Sequence, residues 1–166
     1  FDRGGTASFR LPMAAQPTET FTLECWLKPM FSTDERLMRV VGRGSNMGFY
    51  TDRSGQGLTF FVQAQEWKSV RAQLPMGAWS HIGGTFDGQT MRLYLNGTLV
   101  SEVENPGSVA QQTGAYYFGS EVSRGDYRFR GLIDEVRLSK VVRTRFMTGE
   151  PIPRPKPTLS LTPSEL

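Results

Sequence analysis

Cysteine and histidine are all but absent: the 166-residue chain has one of each, Cys25 and His81. A single cysteine excludes an internal disulfide and any thiolate metal cluster, and a single histidine excludes His-rich metal sites and leaves a Ser-His-Asp triad only one residue to form around. Cys25 lies in an alternating apolar run, where a free thiol acts as a small hydrophobe, far in sequence from the histidine that a nucleophilic thiol would need. Long apolar runs are missing as well. None approaches the roughly twenty residues that span a bilayer, and none has the form of a signal-peptide core, so no membrane insertion is expected. Charge of one sign is not concentrated either: 19 basic and 16 acidic residues, net +3, are scattered along the chain, with no basic stripe to displace counterions from a nucleic acid. Nucleic-acid partners are thereby disfavoured. Helical periodicity is lacking over any stretch longer than about ten residues, and only Val141 to Thr148 has the pattern for a turn or two. The first residue is Phe1 rather than Met, so the chain is expected to be a processed form or a piece of something longer, with any targeting signal outside it.

What is present suits many short strands and tight turns. There are 18 glycines, 10 prolines and 11 phenylalanines; glycine supplies positive φ at turns, and proline is kept out of ladders. Phe21 to Lys28 alternates, with Phe21, Leu23, Cys25 and Leu27 on one face and Pro29 as its end, which reads as a half-buried strand. Period-two runs recur at 37–41, 47–50, 58–64, 67–72, 82–86, 91–95, 99–103, 116–118 and 129–138. Turn residues separate them at short, regular intervals, as in an antiparallel sandwich or barrel. Asn96-Gly97 between two such runs predicts a hairpin with a type I′ turn, and Asp87-Gly88 and 52–57 supply further turns. The length fits one domain, residues 1–149. From Glu150 alternate prolines favour an extended chain, so 150–166 reads as a linker to another domain or anchor, or as a disordered tail.

Four segments occur in the order and spacing of a known family: 21–29, then Trp79-Ser80-His81-Ile82-Gly83-Gly84-Thr85-Phe86-Asp87-Gly88, then Leu93-Tyr94-Leu95-Asn96-Gly97, then Gly131-Leu132-Ile133-Asp134-Glu135-Val136-Arg137-Leu138. Over residues 1 to 145 the chain resembles laminin G-like, concanavalin A-like domains. That resemblance implies an all-β, two-sheet antiparallel jelly-roll sandwich, found in secreted or surface proteins, binding carbohydrate or protein, and in many members holding calcium. Phe1-Asp2 also looks like the start of such a domain, although Arg3 stands where a glycine is usual.

Asp134 is the most informative polar residue. Strict alternation puts it on the face of Leu132, Val136 and Leu138, where an unpaired carboxylate costs several kcal/mol. A calcium ion shared with Asp2 would compensate it if the termini meet, and so would an ion pair with Arg130 or Arg137 or backbone hydrogen bonds. Asn46, Asp52 and Asp126 form a second oxygen-rich set, but they fall in turns, which are Asp/Asn-rich for backbone reasons. Trp26 lies on the polar side of its strand and is either covered by a loop or a flat platform for a sugar; the resemblance favours burial for it and for Trp79. Trp67, flanked by Gln65, Glu66, Lys68 and Ser69, is the aromatic candidate for ligand binding, with Arg124 and Tyr127. An edge-strand Trp packed on its neighbours is the alternative.

No catalytic set is evident. His81 sits inside the Trp79-Ser80-His81 pattern and reads as packed, and Asp134-Glu135, a close acidic pair, points to opposite faces by alternation, unlike the paired acids of a glycosidase. An enzymatic reading would require folding to bring His81 beside two carboxylates in a cleft. Arg124-Gly125-Asp126 and Asn96-Gly97-Thr98 match short adhesion and glycosylation tripeptides and are taken as chance. The expectation is a non-catalytic extracellular binding module for carbohydrate or glycoconjugate, calcium-stabilised, in a larger multidomain protein at the cell surface, secreted or periplasmic, with a role such as cell adhesion. The alternative is a structural or protein–protein interaction module of a surface or filament protein. An exposed apolar patch would favour that alternative over a groove lined by Trp and polar groups.

Overall fold

A computed structural model describes residues 7–31, 37–120, 128–146 and 148. Its strands are β1 (Ala7–Phe9), β2 (Phe21–Pro29), β3 (Met38–Arg43), β4 (Met47–Thr51), β5 (Gly57–Gln63), β6 (Trp67–Gln73), β7 (Ser80–Phe86), β8 (Thr90–Leu95), β9 (Thr98–Glu104), β10 (Tyr116–Phe118) and β11 (Gly131–Ser139). They form two antiparallel sheets, β1-β10-β3-β4-β5-β6 and β11-β2-β7-β8-β9, stacked as a jelly-roll sandwich. All the expected strand runs are present. The short β1 and a 3₁₀ turn at Met13–Ala15 were not anticipated.

Alternation fills the space between the sheets. Phe21, Leu23, Cys25 and Leu27 of β2 face Phe49, Leu58, Phe60 and Val62 across one core. Phe60 anchors it, meeting Phe21 edge-on at 6.3 Å and Phe49 at 5.1 Å. Each such ring contributes about 1.5–3 kcal/mol by leaving water. Gly84 makes room for this packing: a Cβ there would lie 2.5 Å from the Phe60 ring. The Asn96-Gly97 turn is as expected, with φ of 49° and 81° in the left-handed region that a type I′ turn requires.

Two expectations fail here for physical reasons. β2 is buried on both faces rather than one, because the chain after β11 returns across the outer surface of the five-stranded sheet as a strap. Its backbone is pinned by side chains of the sheet. Thr20 Oγ1 donates to the Lys140 carbonyl at 2.8 Å, Thr22 Oγ1 donates to the Val141 carbonyl at 2.7 Å and accepts from the Arg143 amide at 2.9 Å. The strap forms no helix among its described residues, contrary to the turn or two expected from Val141 to Thr148.

The second failure concerns Asp134. Register places Ile133 opposite Leu27, so Ile133 points into the core, and Leu132 and Asp134, opposite Lys28 and Trp26, point outward. A bulge between Asp134 and Arg137, with Glu135 at φ 49°, then adds one residue and restores Val136 and Leu138 to the inside. Asp134 therefore shares the face of Leu132 but not that of Val136 and Leu138, and it is half-buried, not a core carboxylate.

Candidate functional site

The outer face of the six-stranded sheet carries an aromatic group. In β5 the doublet Phe60-Phe61 cannot place both rings inside; Phe60 takes the core and Phe61 the outer face. Across the sheet, one row on this face runs Arg71, Thr59, Tyr50, Arg39 and the next runs Ser69, Phe61, Gly48, Gly42, Tyr117. Trp67 follows on β6, opposite Gln63.

Phe61 stands at the centre of this group. Trp67 stacks on it at 5.9 Å and 21° between planes, Tyr50 leans on it at 5.7 Å, and the Arg39 guanidinium sits 4.9 Å over its ring. Phe61 is thereby 2% exposed while Trp67 is 47% exposed. Trp67 is covered on one side and open on the other, with Gln63 opposite it and Ser69 two residues along its strand. Trp67 thus packs on its neighbours at the edge of the sheet and also keeps an exposed face. Arg124 and Tyr127, expected beside it, lie outside the described residues. Phe61, Tyr50, Arg39 and Arg71 were not anticipated; the Phe60-Phe61 doublet in a period-two strand was the available signal for the first of them.

A second constellation lies under the strap. Trp26 is buried, as the resemblance implied, against the edge of His81 at 5.1 Å. Glu24, on the same side of β2, is almost wholly buried and takes Arg143 Nη1 at 3.0 Å, Arg137 Nη1 at 3.6 Å and His81 Nε2 at 3.5 Å. Phe146 closes the strap over His81 at 5.7 Å and Tyr94 at 4.7 Å. Burial, aided by the Arg137 charge, brings the His81 pKa down to about 4, so the imidazole is neutral at physiological pH despite its acidic neighbour. Desolvation outweighs the Glu24 attraction because two guanidinium groups already occupy that carboxylate.

Glu135 lines the same cleft, so folding does bring His81 near two carboxylates. Glu24 is bonded to two arginines there, and the cleft is lined by no serine, threonine or cysteine among the described residues. Cys25, the lone thiol, faces the core, where burial raises it far above its ordinary range.

The calcium expectation rests on Asp134 and Asp2, of which Asp134 is among the described residues. No three His, Cys, Asp or Glu side chains group there as for a metal, Asp134 Oδ1 accepts the Glu135 amide at 2.8 Å, and Asp2 lies outside the described residues. Arg137, offered as a partner for Asp134, goes to Glu24. Asn46 and Asp52 sit at opposite ends of β4, each in its own turn, Asn46 donating to the Ala110 carbonyl and Asp52 accepting from Ser54; Asp126 is outside the described residues.

A family profile for the concanavalin A-like lectin/glucanase superfamily, of laminin G type, matches residues 3–145. The chain belongs to this superfamily. Pappalysin-1 of Mus musculus is 30% identical over 154 residues, covering 78% of this chain but only 9% of that protein, so the chain matches a small part of its curated relative's length. Among solved structures, domain 4 of AbnA, a GH43 extracellular arabinanase from Geobacillus stearothermophilus in complex with arabinotriose, superposes with a TM-score of 0.59 at 22% identity, covering 79% of this chain and 65% of that one. The binding domain of botulinum neurotoxin DC in complex with SialylT gives 0.63 at 10% identity, covering 82% and 36%. At these identities the structural matches speak for the fold of this concanavalin A-like domain alone. Among its described residues no helix is long and apolar enough to cross a membrane.

Proposed function

We propose that this concanavalin A-like domain is a non-catalytic carbohydrate-binding module whose platform is Trp67. The observation that carries the reading is the pairing of Trp67 on Phe61. A half-exposed indole fixed by a buried ring offers a flat apolar face without loss of rotamer entropy, and polar Ser69 and Gln63 stand beside it to bond hydroxyls. Matches to domains described with arabinotriose and SialylT support a sugar as the ligand class. The module works within a larger extracellular or surface protein, with 150–166 as a proline-rich spacer; the partial match to Pappalysin-1 supports the multidomain setting.

A glycan array followed by calorimetry tests it. Binding should weaken tenfold or more in Trp67→Ala, about 1.4 kcal/mol, measured well below the variant's melting temperature, which falls because the inner half of the indole covers Phe61. An array without hits, or equal binding by the variant, would defeat the reading.

One observation favours a protein-interaction role instead: Met30 and Phe31 at the end of β2 and Leu37 before β3 are each exposed. If Phe31→Ser abolished association with a partner protein while Trp67→Ala did not, this second reading would replace the first.

A further inference from the structure

The cleft beneath the strap lies on the opposite sheet from Trp67, and nothing in the platform reading uses it. Its volume is about 200 Å³, small beside the roughly 300–1,000 Å³ of pockets for drug-sized ligands. The occupant it admits is one sugar ring or a molecule of similar size.

The floor is His81, whose side chain is only 4% exposed. Its Nε2 faces the Glu24 carboxylate at 3.5 Å, which fixes the proton on that nitrogen and leaves Nδ1 as an acceptor. Nδ1 is buried and has no hydrogen-bond partner. A buried acceptor left unsatisfied costs about 1–3 kcal/mol, and this nitrogen, fully buried, is closed to a ligand in the cleft.

The rim is cationic. Arg143 and Arg137 each spend one nitrogen on Glu24, and a guanidinium has further N–H groups to offer. Arg137 is 57% exposed, and Arg145, also lining the cleft, is exposed and forms no ion pair among the described residues. Against three guanidinium groups stand Glu24 and Glu135, so the rim keeps a net positive charge with unspent donors. Phe146 supplies an apolar wall.

We infer that this cleft is a second binding site, selective for a single carboxylate-bearing sugar. The ring's carboxylate pairs with the spare N–H groups of Arg145 and Arg137, and the apolar ring face rests on Phe146. Neutral sugars lack the anionic anchor, and simple anions lack the apolar face.

Titration of the whole chain with glucuronate, glucose and inorganic sulfate, followed by ligand-observed NMR, tests this. Glucuronate should bind, glucose at least tenfold more weakly, and Arg145→Gln should cost glucuronate tenfold with the melting temperature unchanged. Arg53→Gln, at an exposed cation in the turn after β4, should leave glucuronate affinity intact, which shows that the Arg145 effect is local to the cleft. Absence of glucuronate binding, sulfate binding as tightly, insensitivity to Arg145→Gln, or equal loss on Arg53→Gln would each overturn the inference.

Discussion

Phe146 rests its ring against the bare backbone of Gly83, so closely that a Cβ on Gly83 would lie 2.5 Å from it. The neighbouring Gly84 does the same for Phe60 on the other side of β7. Two adjacent glycines thus admit one aromatic ring to each face of a single strand, one from the core and one from the strap. Gly83→Ala should push Phe146 out at a cost of about 1–3 kcal/mol, loosening the strap and speeding tryptic cleavage at Arg143 and Arg145. Gly84→Ala should destabilise by a similar amount without that local cleavage. Limited proteolysis under native conditions separates the two, and equal cleavage in both variants would show that Gly83 does not seat the strap.

His81 should give stability a pH dependence of definite sign. Its pKa is near 4 when folded, through burial and the Arg137 charge, against 6.5 for a free imidazole. Between those values the unfolded chain binds the extra proton, so stability present at neutral pH is lost as pH falls from about 6.5 toward 4 and falls no further on this account below that. The full effect is about 3 kcal/mol. Glu24, Arg137 and Arg143 from β2, β11 and the strap all face this ring, and His81→Gln keeps them while removing the titration. Denaturant melts at pH 7 and pH 4.5 should show wild type losing more than the variant; parallel losses would refute it.

Much of the fold was legible in the sequence because the alternation of strands such as 21–29 and 58–64 is strict and the Asn96-Gly97 turn has one favoured geometry. Trp67 was legible because its neighbours are polar. What was hidden depends on contacts distant in sequence or on a broken period. Nothing local to Glu24 or Trp26 announces that Arg143 and Phe146 will cover them, so the polar side of β2 read as solvent-facing. Phe61 read as one more apolar residue, since pattern alone does not say that Trp67 and Arg39 will close over it. Asp134 was misplaced because alternation assumes one residue per step, and the bulge at Glu135 breaks that assumption.

Cys25 should be silent toward thiol reagents until the domain unfolds. It is fully buried, and desolvation, with the neighbouring Glu24 charge adding to it, keeps the thiolate from forming. For a domain stable by about 5 kcal/mol, labelling at pH 8 should be at least ~1,000-fold slower than in denaturant. Rapid labelling of the native protein would mean that β2 is accessible through local opening.

Glu135 holds the bulge in a conformation it does not prefer. At φ 49° a residue with a Cβ carries roughly 1–2 kcal/mol of steric cost, and a β-branched side chain carries more. Glu135→Gly relieves that strain but adds chain entropy to the unfolded state, about 0.4–1 kcal/mol in the other direction, so it should be neutral or slightly stabilising. Glu135→Val should destabilise by more than about 1 kcal/mol and drive β11 toward a register without the extra residue. In that register either Asp134 or Val136 is forced to the wrong face, because side chains alternate with a period of two. Calorimetric melts of the two variants decide the matter: if Val were tolerated as well as Gly, the bulge would owe nothing to the left-handed backbone at this position.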